Sequence, residues 1–387
     1  MTSTFHGFGR RPLRSLSAAL AVTLVPGLSP SALAQSAPAH PPEATYYVYV
    51  GAESADLLHR IRFGPDGAAV DRTIPVGELS VETEGPHGLN VSRDGHFLYM
   101  TTGHGFPDGK LWKFEAGSDT LVAPPILLGR FPATLDLTPD GLYAFVANFN
   151  LHGERVPSTV SVVYTPDMVE VEQIETCVMP HGLRVGVDGV FLYTNCMMDD
   201  QLVEIDTRSF RVSRRFSVYR GEEGRIDQWP PEGGPLRRAN TCSPTWVEPA
   251  VDGRSVWVAC NKADVLLEVD LDTWTLRREI PTGRGIYNLD ATPDGRLLVG
   301  SLKQGAGVEF FDLEHGRSLA RRPSSSTVTH GVAVTPDSRF AFVSVEGVGA
   351  EPGRVDIFDL RSFERVATVE VGQQAGGIVF WKMVGGR

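Results

Sequence analysis

"ATLDLTPDGLYAFVANF", residues 133–149, is two apolar runs joined by a turn at Asp140-Gly141. "HGVAVTPDSRFAFVSVE", residues 330–346, repeats the plan around Asp337-Ser338. Acid-plus-small-residue turns of this kind recur at Asp94-Gly95, Asp188-Gly189, Asp252-Gly253 and Asp294-Gly295. Asp-Gly between two apolar runs is a hairpin signal. An alternating third run follows, as in "QLVEIDT", "VLLEVDL", "GVEFFDL" and "RVDIFDL". A charged fourth run ends the unit, as in "RVSRRFSV", "TLRREIPT" and "RVATVEVG".

Successive turns lie 42 to 48 residues apart, with one interval of 64. Four short strands at that period, without helix-period segments, predict propeller blades. The inner runs are apolar because neighbouring blades sandwich them, and the outermost is charged because it meets water. The chain ends supply a seventh unit. "AGGIVFW" (375–381) reads as an innermost strand, and "YYVYVGA", "LLHRIRF" and "AVDRTIPV" (46–76) read as the other three. Joining them closes the ring and removes exposed edges. The predicted fold is all-β, a seven-bladed propeller of four-stranded antiparallel blades spanning residues 46–387, its two termini sharing one blade.

The remaining residues form an export leader. Arg10, Arg11 and Arg14 precede the apolar "SLSAALAVTLVPGL", and "SALAQ" offers a cleavage site after Ala34. That layout marks 1–34 as a signal peptide and implies a periplasmic or secreted protein. The paired arginines also fit the twin-arginine route, although Pro12-Leu13-Arg14 departs from its usual residues. Residues 35–45 form a Pro-rich, disordered lead-in. The apolar segment is too short and broken to span a bilayer. The chain carries a net charge of −11, and losing the leader removes three arginines and no acids. Such a surface disfavours nucleic acid and anionic lipid as partners.

The second runs "FVANFN", "LYTNCM", "WVACNK" and "FVSVEG" resemble the YVTN-type repeats of secreted seven-bladed propellers. The resemblance covers residues 46–381. Related propellers include lactonases, streptogramin lyase and the haem d1 domain of nitrite reductases, so it implies the fold and leaves function to a site. It also implies that innermost strands begin near one mouth of the central channel. The loops from second to third strands open on the same face.

Stepping back seven residues from each turn Asp gives the first residue of each innermost strand: His87, Ala133, His181, Thr245, Tyr287 and His330, with Ala375 by analogy. The histidines fall on blades one, three and six, near three-fold spacing around seven. Three imidazoles converging there would suit a divalent metal, Zn²⁺ or Cu²⁺, with a coordination place open. Binding of a substrate or organic cofactor without metal, and a purely structural role, are the competing readings. Glu346 and His104, on loops of that face, are candidate general bases. Tyr287, Lys262 and Lys303 are candidate ligand contacts.

The 64-residue interval places a loop insertion around 219–241, where Arg225, Trp229, Arg237 and Arg238 could meet an anionic or aromatic ligand. Cys177 with Cys196, and Cys242 with Cys260, occupy matching ends of two inner hairpins, which predicts two disulfides. The rival reading is a Cu(I) patch of Cys177, Met179, His181, Cys196, Met197 and Met198. No catalytic triad, P-loop, Rossmann or haem-attachment motif is present in the sequence. Two functions remain open. One is an exported, metal-dependent hydrolase, lyase or oxidoreductase acting on a small molecule; the other is a non-catalytic propeller binding a ligand, cofactor or protein.

Overall fold

The computed structural model describes residues 42–78, 81–104, 108–218, 221–224 and 240–386. All belong to the compact unit that begins at Ser36. The expected signal peptide, 1–34, and most of the expected lead-in lie outside the described residues.

Seven antiparallel sheets of four or five strands account for the strands. The innermost strands are Pro86–Val91, Pro132–Leu137, Pro180–Val185, Pro244–Pro249, Ile286–Ala291, Thr329–Val334 and Ala375–Val384. Each packs against the next, and the last returns to the first, so the ring is a closed seven-bladed propeller. The closing blade pairs Thr45–Ala52 with Ala375–Val384, in register at Val48 with Phe380 and Ala52 with Ala375. The single helical element among the described residues is the short 3₁₀ turn Glu53–Ala55. No helix there is long and apolar enough to cross a membrane.

The turn residues act as their chemistry predicts. Thr138 Oγ1 donates to Asp140 Oδ1 at 2.6 Å, and the same oxygen accepts from the Leu142 N–H at 3.0 Å. The next residue is left-handed each time: Gly141 at φ 71° and, where glycine is replaced, Ser338 at φ 56°. The core is divided among the blades. Phe63, Phe340 and Phe342 fill one interface; Tyr49, Leu98 and Trp112 fill the next. Similar apolar sets fill the other five.

Two local features differ from the repeat. The outer edge of blade one is broken into Thr120–Leu121 and Ile126–Leu127. The insertion opens as a fifth strand on blade three, Glu222–Gly224, paired with Arg211–Ser217. Arg225, Trp229, Arg237 and Arg238 lie outside the described residues.

Both expected disulfides are present, Cys177–Cys196 and Cys242–Cys260. The copper-thiolate reading therefore falls, because neither Cys177 nor Cys196 carries a thiol. Met179 and Met197 instead pack against Phe131, Ala133 and Phe149. Each bridge closes a loop of 18 or 19 residues. Replacing either pair by serine should lower the unfolding free energy by about 3 kcal/mol, seen as an earlier guanidinium midpoint. An unchanged midpoint would show that hairpin pairing alone holds these blades.

Candidate functional site

A recurring backbone device aims seven residues into the channel mouth. Two positions before each, the chain turns left-handed at Gly85, Phe131, Met179, Ser243, Gly285, Val328 and Gln374, with φ between 47° and 69°. In all seven blades the strand register then shifts at the inward residue, as between Pro86 and Leu89, Pro180 and Leu183, and Thr329 and Val332. A bulge re-aims a side chain that would otherwise face a neighbouring blade. Hydroxyls fix the bulged backbone: Thr101 accepts from the Gly88 N–H at 2.8 Å, and Ser344 from the Gly331 N–H at 2.8 Å.

The inward residues are His87, Ala133, His181, Thr245, Tyr287, His330 and Gly376. The seventh is Gly376, not Ala375. Ala375 pairs with Ala52 at the strand edge, as Thr329 pairs with Val345 one residue before His330.

The three histidines converge. His87 lies 6.2 Å from His181 and 5.7 Å from His330 between ring centroids. Nδ1 of His87 is 2.7 Å from the Ala133 carbonyl, and Nδ1 of His181 is 2.8 Å from the Thr245 carbonyl. A carbonyl only accepts, so both Nδ1 atoms carry a proton and Nε2 is the nitrogen each ring turns away from the backbone. His330 Nδ1 faces the equivalent Gly376 carbonyl without closing a full hydrogen bond. Burial, followed by the His87 charge, drives the His181 pKa down to about 3. Burial also takes His330 well below its ordinary value, reinforced by the Lys303 charge. The Tyr287 hydroxyl donates to His181 Nε2 at 3.0 Å.

A second tier comes from the residues that follow the second strands. Lys303 Nζ bonds Glu346 Oε1 at 3.0 Å and lies 4.3 Å from the Tyr287 ring centroid. Glu346 Oε1 is 3.7 Å from His330 Nε2. Burial raises the Glu346 pKa, against the pull of Lys303. Burial likewise raises the Tyr287 phenol. For Lys303, burial favours the neutral amine, but Tyr287 and Glu346 outweigh it and the pKa rises.

His104 reaches Glu53, with Nε2 to Oε2 at 3.2 Å, and its Nδ1 is 3.3 Å from Nε2 of the exposed His152. Lys262 stands one place too far along its loop: its ammonium bonds the Asn240 carbonyl at 2.8 Å, and Asn261 holds the tier position.

Glu53 and His152 are the site residues that sequence reading missed. Glu53 directly follows the second strand of the closing blade, as Glu346 follows that of blade six. Applying the same loop rule across the chain ends would have found it. His152 sits in a turn with no repeat position to mark it.

The mouth is two-sided. Blades five, six, seven and one supply most of the ionisable groups, with His181 of blade three and His152 of blade two facing them. Phe131 and Phe149, with Met179 and Met197 against them, form an apolar wall at blades two and three. Beneath the ring the channel holds a small cavity of about 30 Å³, bordered by His87, His330, Arg184, Trp246 and Asn288.

The depressed His181 pKa has a stability consequence. The unfolded histidine charges below about pH 6.5, while the folded one stays neutral to about pH 3. The unfolded state then binds the extra proton, so this residue makes metal-free protein less stable as pH falls through that window. In a His181→Gln variant, the stability lost between pH 7 and 4.5 should shrink by roughly 2 kcal/mol in denaturant titrations. An equal loss in both proteins would mean that His181 is protonated in the fold.

No family model matches the chain, so the likeness to YVTN-type repeats rests on the strand motifs alone. No curated protein matches it either. Solved structures do. Hydrazine synthase of Kuenenia stuttgartiensis aligns with a TM-score of 0.61 at 17% identity, over 78% of this chain and 93% of that one. A functionally unknown protein from Desulfotomaculum acetoxidans aligns with a TM-score of 0.65 at 13% identity, over 87% and 98%. At such identities the likeness establishes a shared β-propeller fold.

Proposed function

We propose that this propeller works outside the cytoplasm and uses its channel mouth as a metal-dependent centre acting on a small molecule. One observation carries the reading: imidazoles on blades one, three and six turn toward a common space. In two of them the protonated Nδ1 is tied to backbone, which leaves Nε2 as the donor nitrogen, open at His87 and shared with the Tyr287 hydroxyl at His181. Neutral imidazole Nε2 is a donor that Zn²⁺ and Cu²⁺ accept, and a bonded Nδ1–H is the usual support for it. The candidate ligands are His87, His181 and His330. A bound divalent ion would polarise a substrate oxygen or make bound water more acidic.

The chain's own groups supply the proton chemistry. Glu346, its pKa raised by burial, is placed to accept a proton, and Lys303 holds its carboxylate in position. His104, at the rim against Glu53, is the other candidate base. Tyr287 and Lys303 line the same space as ligand contacts, and the Phe131–Phe149 wall suits the apolar part of a small molecule. Hydrolysis, elimination and oxidation are all within reach of such a set. The two disulfides support a periplasmic or secreted location.

A specific observation favours a second reading. The Tyr287 hydroxyl occupies His181 Nε2, and no three ligating side chains among the described residues are already gathered for a metal. A metal-free pocket binding a small ligand, without catalysis, would look like this.

Elemental mass spectrometry on protein purified from the periplasm separates the two. Near-stoichiometric metal is expected in the native protein, and none in a folded His87→Ala, His181→Ala, His330→Ala variant. Native protein that stays empty after incubation with zinc and copper would leave the ligand-binding reading.

A further inference from the structure

The seventh place in the ring is a glycine, and the reason is Glu53. A Cβ at Gly376 would lie 2.1 Å from Glu53 Oε1, so any side chain there would evict the carboxylate. The carboxylate thus stands where blade seven would otherwise put its own inward side chain, between His330 of blade six and His87 of blade one. Those two imidazoles are the closer histidine pair, 5.7 Å apart by centroid. Glu53 Oε1 is 3.8 Å from His87 Nε2. The residue is 3% exposed. Its ion-pair partners among the described residues are imidazoles, His87 and His104, and it accepts a hydrogen bond from the Gln374 side-chain amide at 3.2 Å. The Lys303 charge acts on it only from beyond ion-pair distance, and a buried carboxylate so placed is costly unless a cation joins it.

His181 is in a different situation. It stands across the channel, and its Nε2 already accepts from Tyr287. Glu346, the other carboxylate, is held by Lys303.

We infer that the metal seat is built by His87, Glu53 and His330, a two-histidine, one-carboxylate set spanning blades six, seven and one, and not by three histidines. The inference rests on the metal-dependent reading above and specifies its ligands. The set suits Zn²⁺ or Fe²⁺, both of which accept two imidazoles and a carboxylate and keep places open for water or substrate. Two donors on one such ion stand about 3 to 3.6 Å apart. The 3.8 Å between Glu53 and His87 closes by a side-chain adjustment, and His330, now 3.7 Å from Glu346, must turn to join them, since no such trio is already gathered among the described residues. His181 and Tyr287 are left facing the open side, where they position substrate.

Titration with Co²⁺, followed by calorimetry and visible absorption, tests this, with circular dichroism to confirm folding. Wild type should bind one Co²⁺. Glu53→Gln keeps the shape and removes the charge, and should weaken binding by more than about tenfold. Gly376→Ala should do the same by displacing an intact Glu53, which guards against a Glu53→Gln variant that fails to fold. His181→Ala should keep its affinity within about threefold and leave the cobalt spectrum unchanged. Loss of cobalt from His181→Ala together with retention in Glu53→Gln would overturn the inference and leave a three-histidine seat. Wild type that binds neither Co²⁺ nor Zn²⁺ would overturn it by removing the metal-dependent reading itself.

Discussion

Pairing of Thr45–Ala52 with Ala375–Val384 is the contact on which the molecule depends. Without it the first and last blades present unpaired edges, and the cluster of Tyr46, Phe63 and Phe340 loses one wall. The same pairing sets the chemistry of the mouth. Glu53 leaves the end of the N-terminal strand, while Gly376 lies in the C-terminal one. The joint between the termini is thus both the mechanical closure of the ring and the place where a carboxylate enters it.

The ring of inward residues is held by backbone more than by side chains. A left-handed residue, a bulge and a hydroxyl bond recur from blade to blade, so position is built in and identity is free to vary. That explains how alanine, threonine, tyrosine, glycine and histidine share equivalent places. Val328 shows what this demands. A β-branched residue at φ 62° is strained, and it sits two residues before His330.

Much of this was legible in the sequence because the repeats are punctuated by Asp turns whose side chains bond their own backbone. Counting back from them found six of the seven inward residues. The seventh was misplaced by one, since the closing strand runs on to Val384 and has no Asp turn to count from. Both disulfides were legible for the same reason, as matching ends of hairpins. Glu53 was not, because it belongs to a blade whose strands lie at opposite ends of the chain. Its role is visible only when Gly376 is placed against it. Lys262 was selected as a loop cation, but one residue of register decides whether a side chain faces the channel or the rim. The bond from Tyr287 to His181 joins residues 106 apart and leaves no local trace.

The seam has a consequence for how the molecule matures. Strands made first and last must meet before the ring contains its carboxylate, whereas the histidines come from the interior of the chain. Glu53 can already meet His87 and His104 of blade one, but His330 and Gly376 join them only when the ring closes. For the inferred seat of His87, Glu53 and His330, competence would therefore arrive with the final strand. A circular permutant opened at another blade would carry Glu53, His87 and Gly376 on one continuous stretch. In that protein, assembly of the centre would no longer report completion of the fold.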